Sequence, residues 1–109
     1  MGVDVTIMRV TRPGSSPRRR RLDPVDAFLD VRDVFADVCR ESRLPMVRRA
    51  DPYGSLILTS AEMPQFVAEL TQTLARTEDA SVRSVVTEIL RLGELCAADA
   101  DLELHLEGD

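Results

Sequence analysis

The chain has 109 residues, of which 44% are hydrophobic, 30% charged and only 4% aromatic. That is the length of one domain, too apolar to stay disordered, and it lacks the run of about 18 apolar residues that a membrane-spanning helix needs. The net charge of −5 hides an asymmetry, because residues 1–21 carry six arginines against Asp4 alone and residues 22–109 carry eight against eighteen carboxylates. An acidic body of that kind repels phosphate backbones, which argues against nucleic-acid binding by the folded part.

Val3, Val5 and Ile7 alternate with Asp4 and Thr6, the period of a strand with one wet face. Residues 11–21 contain Pro13, Gly14, Ser15, Ser16 and Pro17 followed by Arg18 to Arg21, a long basic loop expected to be mobile. Ser15 and Ser16 beside that run resemble a basophilic phosphorylation context, but their setting is also ordinary loop composition, which is the reading preferred. All fourteen cations are arginine, the mark of a GC-rich genome. Asp23-Pro24 then reads as an N-cap with proline at the first helical position, opening a helix that runs to about Arg43. Phe28, Val31, Phe35, Val38 and Cys39 lie on one side of it, with Val25, Leu29 and Val34 widening the stripe. Asp26, Asp30, Asp33, Asp37 and Glu41 follow at spacings of 4, 3, 4 and 4, which on a helix places five carboxylates along one narrow face. Like charges so spaced cost roughly 0.2–0.5 kcal/mol per pair, offset in part by Arg32 and Arg40.

Pro45 ends that segment. A loop with Arg48, Arg49 and the turn Asp51-Pro52-Tyr53-Gly54 leads into Ser55–Thr59, a short buried strand. Thr59 and Glu62 have the spacing of a capping box, and Pro64 is tolerated in the first turn that follows. Met63, Phe66, Val67, Leu70 and Leu74 mark one amphipathic helix. After a break over Thr77–Ser81, Val82, Val85, Val86, Ile89, Leu92, Gly93 and Cys96 mark another. Leu102, Leu104 and Leu106 alternate with Glu103, His105 and Glu107 in a final strand with one wet face. The order β-α-β-α-α-β predicts a single α+β domain spanning residues 1–109, with a sheet of about three strands covered on one face by helices. The second face of Met8 and Val10 then needs cover, which a partner chain could supply.

Cys39 and Cys96 fall on apolar helix faces without a C-x-x-C pair, and no N-terminal apolar signal segment is seen, so reduced thiols in a cytoplasmic protein are expected. No phosphate-binding glycine motif occurs, so no cofactor is expected. A linear row of carboxylates does not enclose a cation, so no metal is expected either. The one histidine, His105, sits on a wet strand face. The sharpest feature is the acidic strip. It predicts a non-enzymatic interaction domain whose Asp26, Asp30, Asp33, Asp37 and Glu41 meet a basic protein partner, in the manner of immunity proteins that neutralise a basic toxin. Two other readings stay open: a small-ligand or enzyme site near Tyr53, His105, Glu103 and Glu107, and a homodimer formed through an exposed strand edge.

Over residues 51–109, the stretch DPYGSLILTSAEMPQFVAEL, the helix pair ending EILRLGELC and the terminal LELHLEGD resemble a group of small uncharacterised, largely actinobacterial proteins. The resemblance implies a D-P-x-G turn (Asp51, Gly54), a short strand, an amphipathic helix and a C-terminal strand ending in Gly-Asp (Gly108, Asp109). It implies a fold unit and carries no activity.

Overall fold

Strand β1 (Val3–Thr11) is joined to β2 (Arg21–Phe28), then come α1 (Val34–Glu41), β3 (Ser55–Thr59), α2 (Met63–Arg76), α3 (Ala80–Ala97) and β4 (Leu102–Gly108). Single turns of 3-10 helix occupy Val47–Arg49 and Ser60–Glu62. This is a computed structural model, and it describes residues 2–12 and 20–108; Ser15, Ser16, Arg18, Arg19 and Asp109 lie outside the described residues. The four strands form one antiparallel sheet in the order β2-β1-β4-β3. The fold is α+β, as expected, with one strand more than the sequence predicts.

The additional strand comes from the segment read as the start of a long helix. Residues 21–28 pair with β1, with Thr6 opposite Ala27, Met8 opposite Pro24 and Val10 opposite Leu22. Ile7 pairs with Asp26 and Met8 with Pro24, so Val25 is the extra residue of a bulge. Pro24 has no N–H to give, which is tolerated because β2 is an edge strand. Helix α1 begins only at Val34, and Asp23 lies within β2 rather than at a helix start. The residue at its N-cap is Asp33, held at φ 61 in the left-handed region that aspartate tolerates better than most side chains.

Alternation on β1 and β4 decides which face the helices cover. Val3, Val5 and Ile7 of β1 and Leu102, Leu104 and Leu106 of β4 point into a core shared with Leu58, Phe35, Phe66, Leu70, Ile89 and Leu92. The capping box predicted at Thr59 and Glu62 is present, with the Thr59 N–H donating to Glu62 Oε1 at 2.9 Å. That bond lowers the Glu62 pKa. Asp79 caps α3 by accepting from the N–H groups of Ser81 and Val82. Cys39 and Cys96 are buried free thiols.

Candidate functional site

The five carboxylates of the predicted strip do not share a face. Asp26 lies on β2 and pairs with Arg91 of α3 at 2.9 Å. The hydrogen bond from Arg91, helped by the backbone N–H of Ala27, holds its carboxyl below the usual range. Asp30 is 4% exposed and turns inward, where Oδ2 accepts from the N–H of Val3 at 3.0 Å and of Ala36 at 2.8 Å, and Oδ1 from that of Phe35 at 3.0 Å. Asp33 occupies the N-cap of α1, Asp37 is paired with Arg40 one turn on, and Glu41 ends the helix. The expected helical strip is thus divided among a strand, a buried cap and a short helix. The acidic recruiting surface argued from it loses its geometric basis.

His105 is also placed differently from expectation. β4 is an interior strand, so His105 lies between Thr6 of β1 and Ile57 of β3 and is only 5% exposed. Its Nε2 is 3.1 Å from Glu103 Oε1, and the same carboxylate receives the Arg20 guanidinium. Ser55 Oγ donates to Glu107, not to His105, so these residues do not assemble a nucleophile, a base and an orienting group. Tyr53 stands apart, 72% exposed in the turn where Asp51 Oδ1 accepts its N–H. Tyr53, Glu103, His105 and Glu107 line none of the three cavities described for this chain. Among the described residues no group of three or more His, Cys, Asp or Glu is placed to hold a metal ion, and no helix is long and apolar enough to cross a membrane.

The feature that sequence reasoning missed lies at residues 29–31. Asp30 is inside, while its neighbours Leu29 and Val31 are 62% and 84% exposed. The Val31 N–H donates to the Leu29 carbonyl at 3.0 Å, closing a tight turn that holds both side chains outward. They line a groove of about 350 Å³ together with Phe28, Arg32 and Val34 and with Ser81, Ser84 and Val85 of α3. The helical reading assigned Leu29 and Val31 to a covered face. Compared with protein-family models, with curated proteins and with solved structures, the chain has no significant match.

Proposed function

We propose that this chain is a non-catalytic protein-interaction domain, and that its surface at Leu29 and Val31 docks onto a second copy of the chain. The observation that carries this reading is the inverted pattern at residues 29–31, with a carboxylate buried between two exposed aliphatic side chains. Covering a Leu or Val side chain is worth roughly 1.5–3 kcal/mol, so outward placement of both leaves association energy unused in the single chain. Asp30 enforces that placement, because its three backbone hydrogen bonds fix it inside.

A second copy suits this surface because knob and groove adjoin one another. Leu29 and Val31 line the groove together with Phe28, Val34 and Val85. A two-fold axis through the patch would seat each copy's Val31 in the other's groove, the self-complementary arrangement of an isologous dimer. Pairing through the edge of β2, the simpler route to a dimer, is obstructed by Pro24 and the bulge at Val25. At the Leu29–Val31 patch, beside that edge, the contact is therefore one of side chains.

Sedimentation velocity over a wide concentration range tests the proposal. The wild-type mass is expected to rise toward twice the monomer, and the Leu29→Ser/Val31→Ser variant to stay monomeric with an unchanged circular dichroism spectrum. A wild-type chain that remains monomeric at its solubility limit overturns the reading, as does a double variant that associates equally well. Val31→Ser alone, at a side chain that touches little of the core, gives the same comparison without risk to folding.

A further inference from the structure

The largest of the three cavities, about 470 Å³, opens where α1 and α2 end and α3 begins. Val38, Leu44 and Val82 give it an apolar lining, and two arginines line it from different elements, Arg43 from the segment after α1 and Arg76 from the last turn of α2. Most other arginines of the described chain are matched: Arg9 with Asp99, Arg20 with Glu103, Arg21 with Asp23, Arg40 with Asp37, Arg49 with Glu62, and Arg91 with Asp26 and Glu88. Among the described residues Arg43 and Arg76 make no ion pair. With the Gln72 amide oxygen turned toward it, Arg76 has a neutral partner one turn back. In a chain of net charge −5, two arginines without an ion-pair partner at one apolar hollow make a local excess of positive charge.

We propose that this cavity is a binding site for a small organic anion, a carboxylate or phosphate monoester attached to a compact apolar group. The apolar group would rest on Val38, Leu44 and Val82, and the anion would bridge Arg43 and Arg76, whose planar donor forks match such oxygens. Opposing charge is limited. Glu41 is the acidic side chain in the lining, against two guanidiniums. The partial negative charge where α2 ends is already met by Arg83, which donates to the carbonyls of Leu74 at 2.8 Å and Thr77 at 3.1 Å. The Ser42 hydroxyl accepts from the Leu44 N–H, which leaves its own proton free to donate into the site.

Titration of the ¹⁵N-labelled chain with benzoate, with phenyl phosphate and with benzylamine tests the site. Both anions, or one of them, are expected to give saturable shifts at the amides of Val38, Leu44, Thr77 and Val82, and the stronger of the two tells carboxylate from phosphate chemistry. The Arg43→Ala/Arg76→Ala variant is expected to weaken that binding by about tenfold or more, whereas Arg48→Ala, outside the cavity, leaves it unchanged. The site is overturned if neither anion saturates at those amides, if benzylamine binds as well as the anions, or if the double variant binds like wild type. The benzylamine comparison is made on the wild-type chain and decides the matter even if the double variant folds poorly.

Discussion

The N–H of Val3, at the start of the sheet, donates to the carboxylate of Asp30 across twenty-seven positions of sequence at 3.0 Å. The same carboxylate accepts from the first turn of α1, so one side chain joins the start of β1 to the helix that follows β2. Gly2 lies against it so closely that a Cβ there would stand 2.2 Å from the Asp30 carbonyl oxygen. A second buried acid repeats the device. Glu69 of α2 takes the N–H groups of Met46 and Val47, at 2.9 and 2.8 Å, and so fastens the turn before β3 to the helical layer. Two of the carboxylates in this acidic chain are thus consumed in holding backbone donors in places where water does not reach.

Replacing Asp30 with Ala strands three buried N–H groups. Each unsatisfied donor costs roughly 1–3 kcal/mol, partly relieved by entering water, so a loss of about 3 kcal/mol and roughly 12–20 °C in Tm is expected. Asp30→Asn keeps one oxygen and is expected to lose less. Thermal unfolding followed by circular dichroism makes the comparison. An Asp30→Ala chain that melts with the wild type would show that the cap contributes nothing.

Glu69→Ala is expected to act more locally. It frees the N–H groups of Met46 and Val47 and also removes the acceptor for the Gln65 amide. Amide hydrogen exchange should quicken first at Met46 and Val47, with a global loss of about 2 kcal/mol. Uniform quickening across the sheet, with residues 46–47 no faster than the rest, would contradict the assignment.

The residues that were legible from sequence are those whose pattern admits one solution. Leu102, Leu104 and Leu106 alternate cleanly and form β4; Met63 to Leu74 and Val82 to Cys96 repeat at helical spacing and form α2 and α3; Thr59 and Glu62 form their box. Residues 21–33 admit two solutions. Their apolar positions satisfy a helical stripe, and Asp23-Pro24 imitates a helix start, but the alternative of pairing with β1 also supplies backbone partners and separates five carboxylates that a helix would align. Strand pairing is set by a distant segment, which a local pattern does not contain. The outward Leu29 and Val31 follow from Asp30 turning in behind β2, and the buried His105 follows from β4 lying between β1 and β3; both are long-range relationships.

Two glycines at one end of the sheet are expected to respond differently to a methyl group. Gly108 donates its N–H to the Gly54 carbonyl at 2.7 Å, and a Cβ on Gly108 would lie 2.3 Å from the Pro52 carbonyl group and 2.4 Å from the Asp51 carbonyl oxygen. Those are backbone atoms of the Asp51–Gly54 turn and cannot swing aside. Gly108→Ala is therefore expected to cost about 1–3 kcal/mol. At Gly54 the nearest atom to a new Cβ is the Asp51 Oδ2, 3.1 Å away on a side chain that can rotate, so Gly54→Ala should cost less than about 1 kcal/mol. Urea unfolding of the two variants side by side checks the order, and the reverse order would mean that the turn, not the strand end, is the rigid partner.

The thiols supply a prediction about alkaline stability. Burial, with a smaller contribution from the Asp30 carboxylate, pushes Cys39 from its ordinary 9.0 up to about 12. Burial also pushes Cys96 up to about 11, with Glu103 and Asp99 adding to the effect. A group whose pKa is higher in the folded chain than in the unfolded one favours folding fully below the unfolded value, and that contribution fades as pH climbs toward the folded value. Between about pH 9 and pH 12 the native state should therefore lose stability, and Cys39→Ala/Cys96→Ala should flatten that part of the profile. At pH 8 a disulfide reagent such as Ellman's should find no reactive thiol in the native chain and two in denaturant. A rapid reaction in the native state would show that one of the two cysteines opens to solvent through a fluctuation that leaves the rest of the core closed.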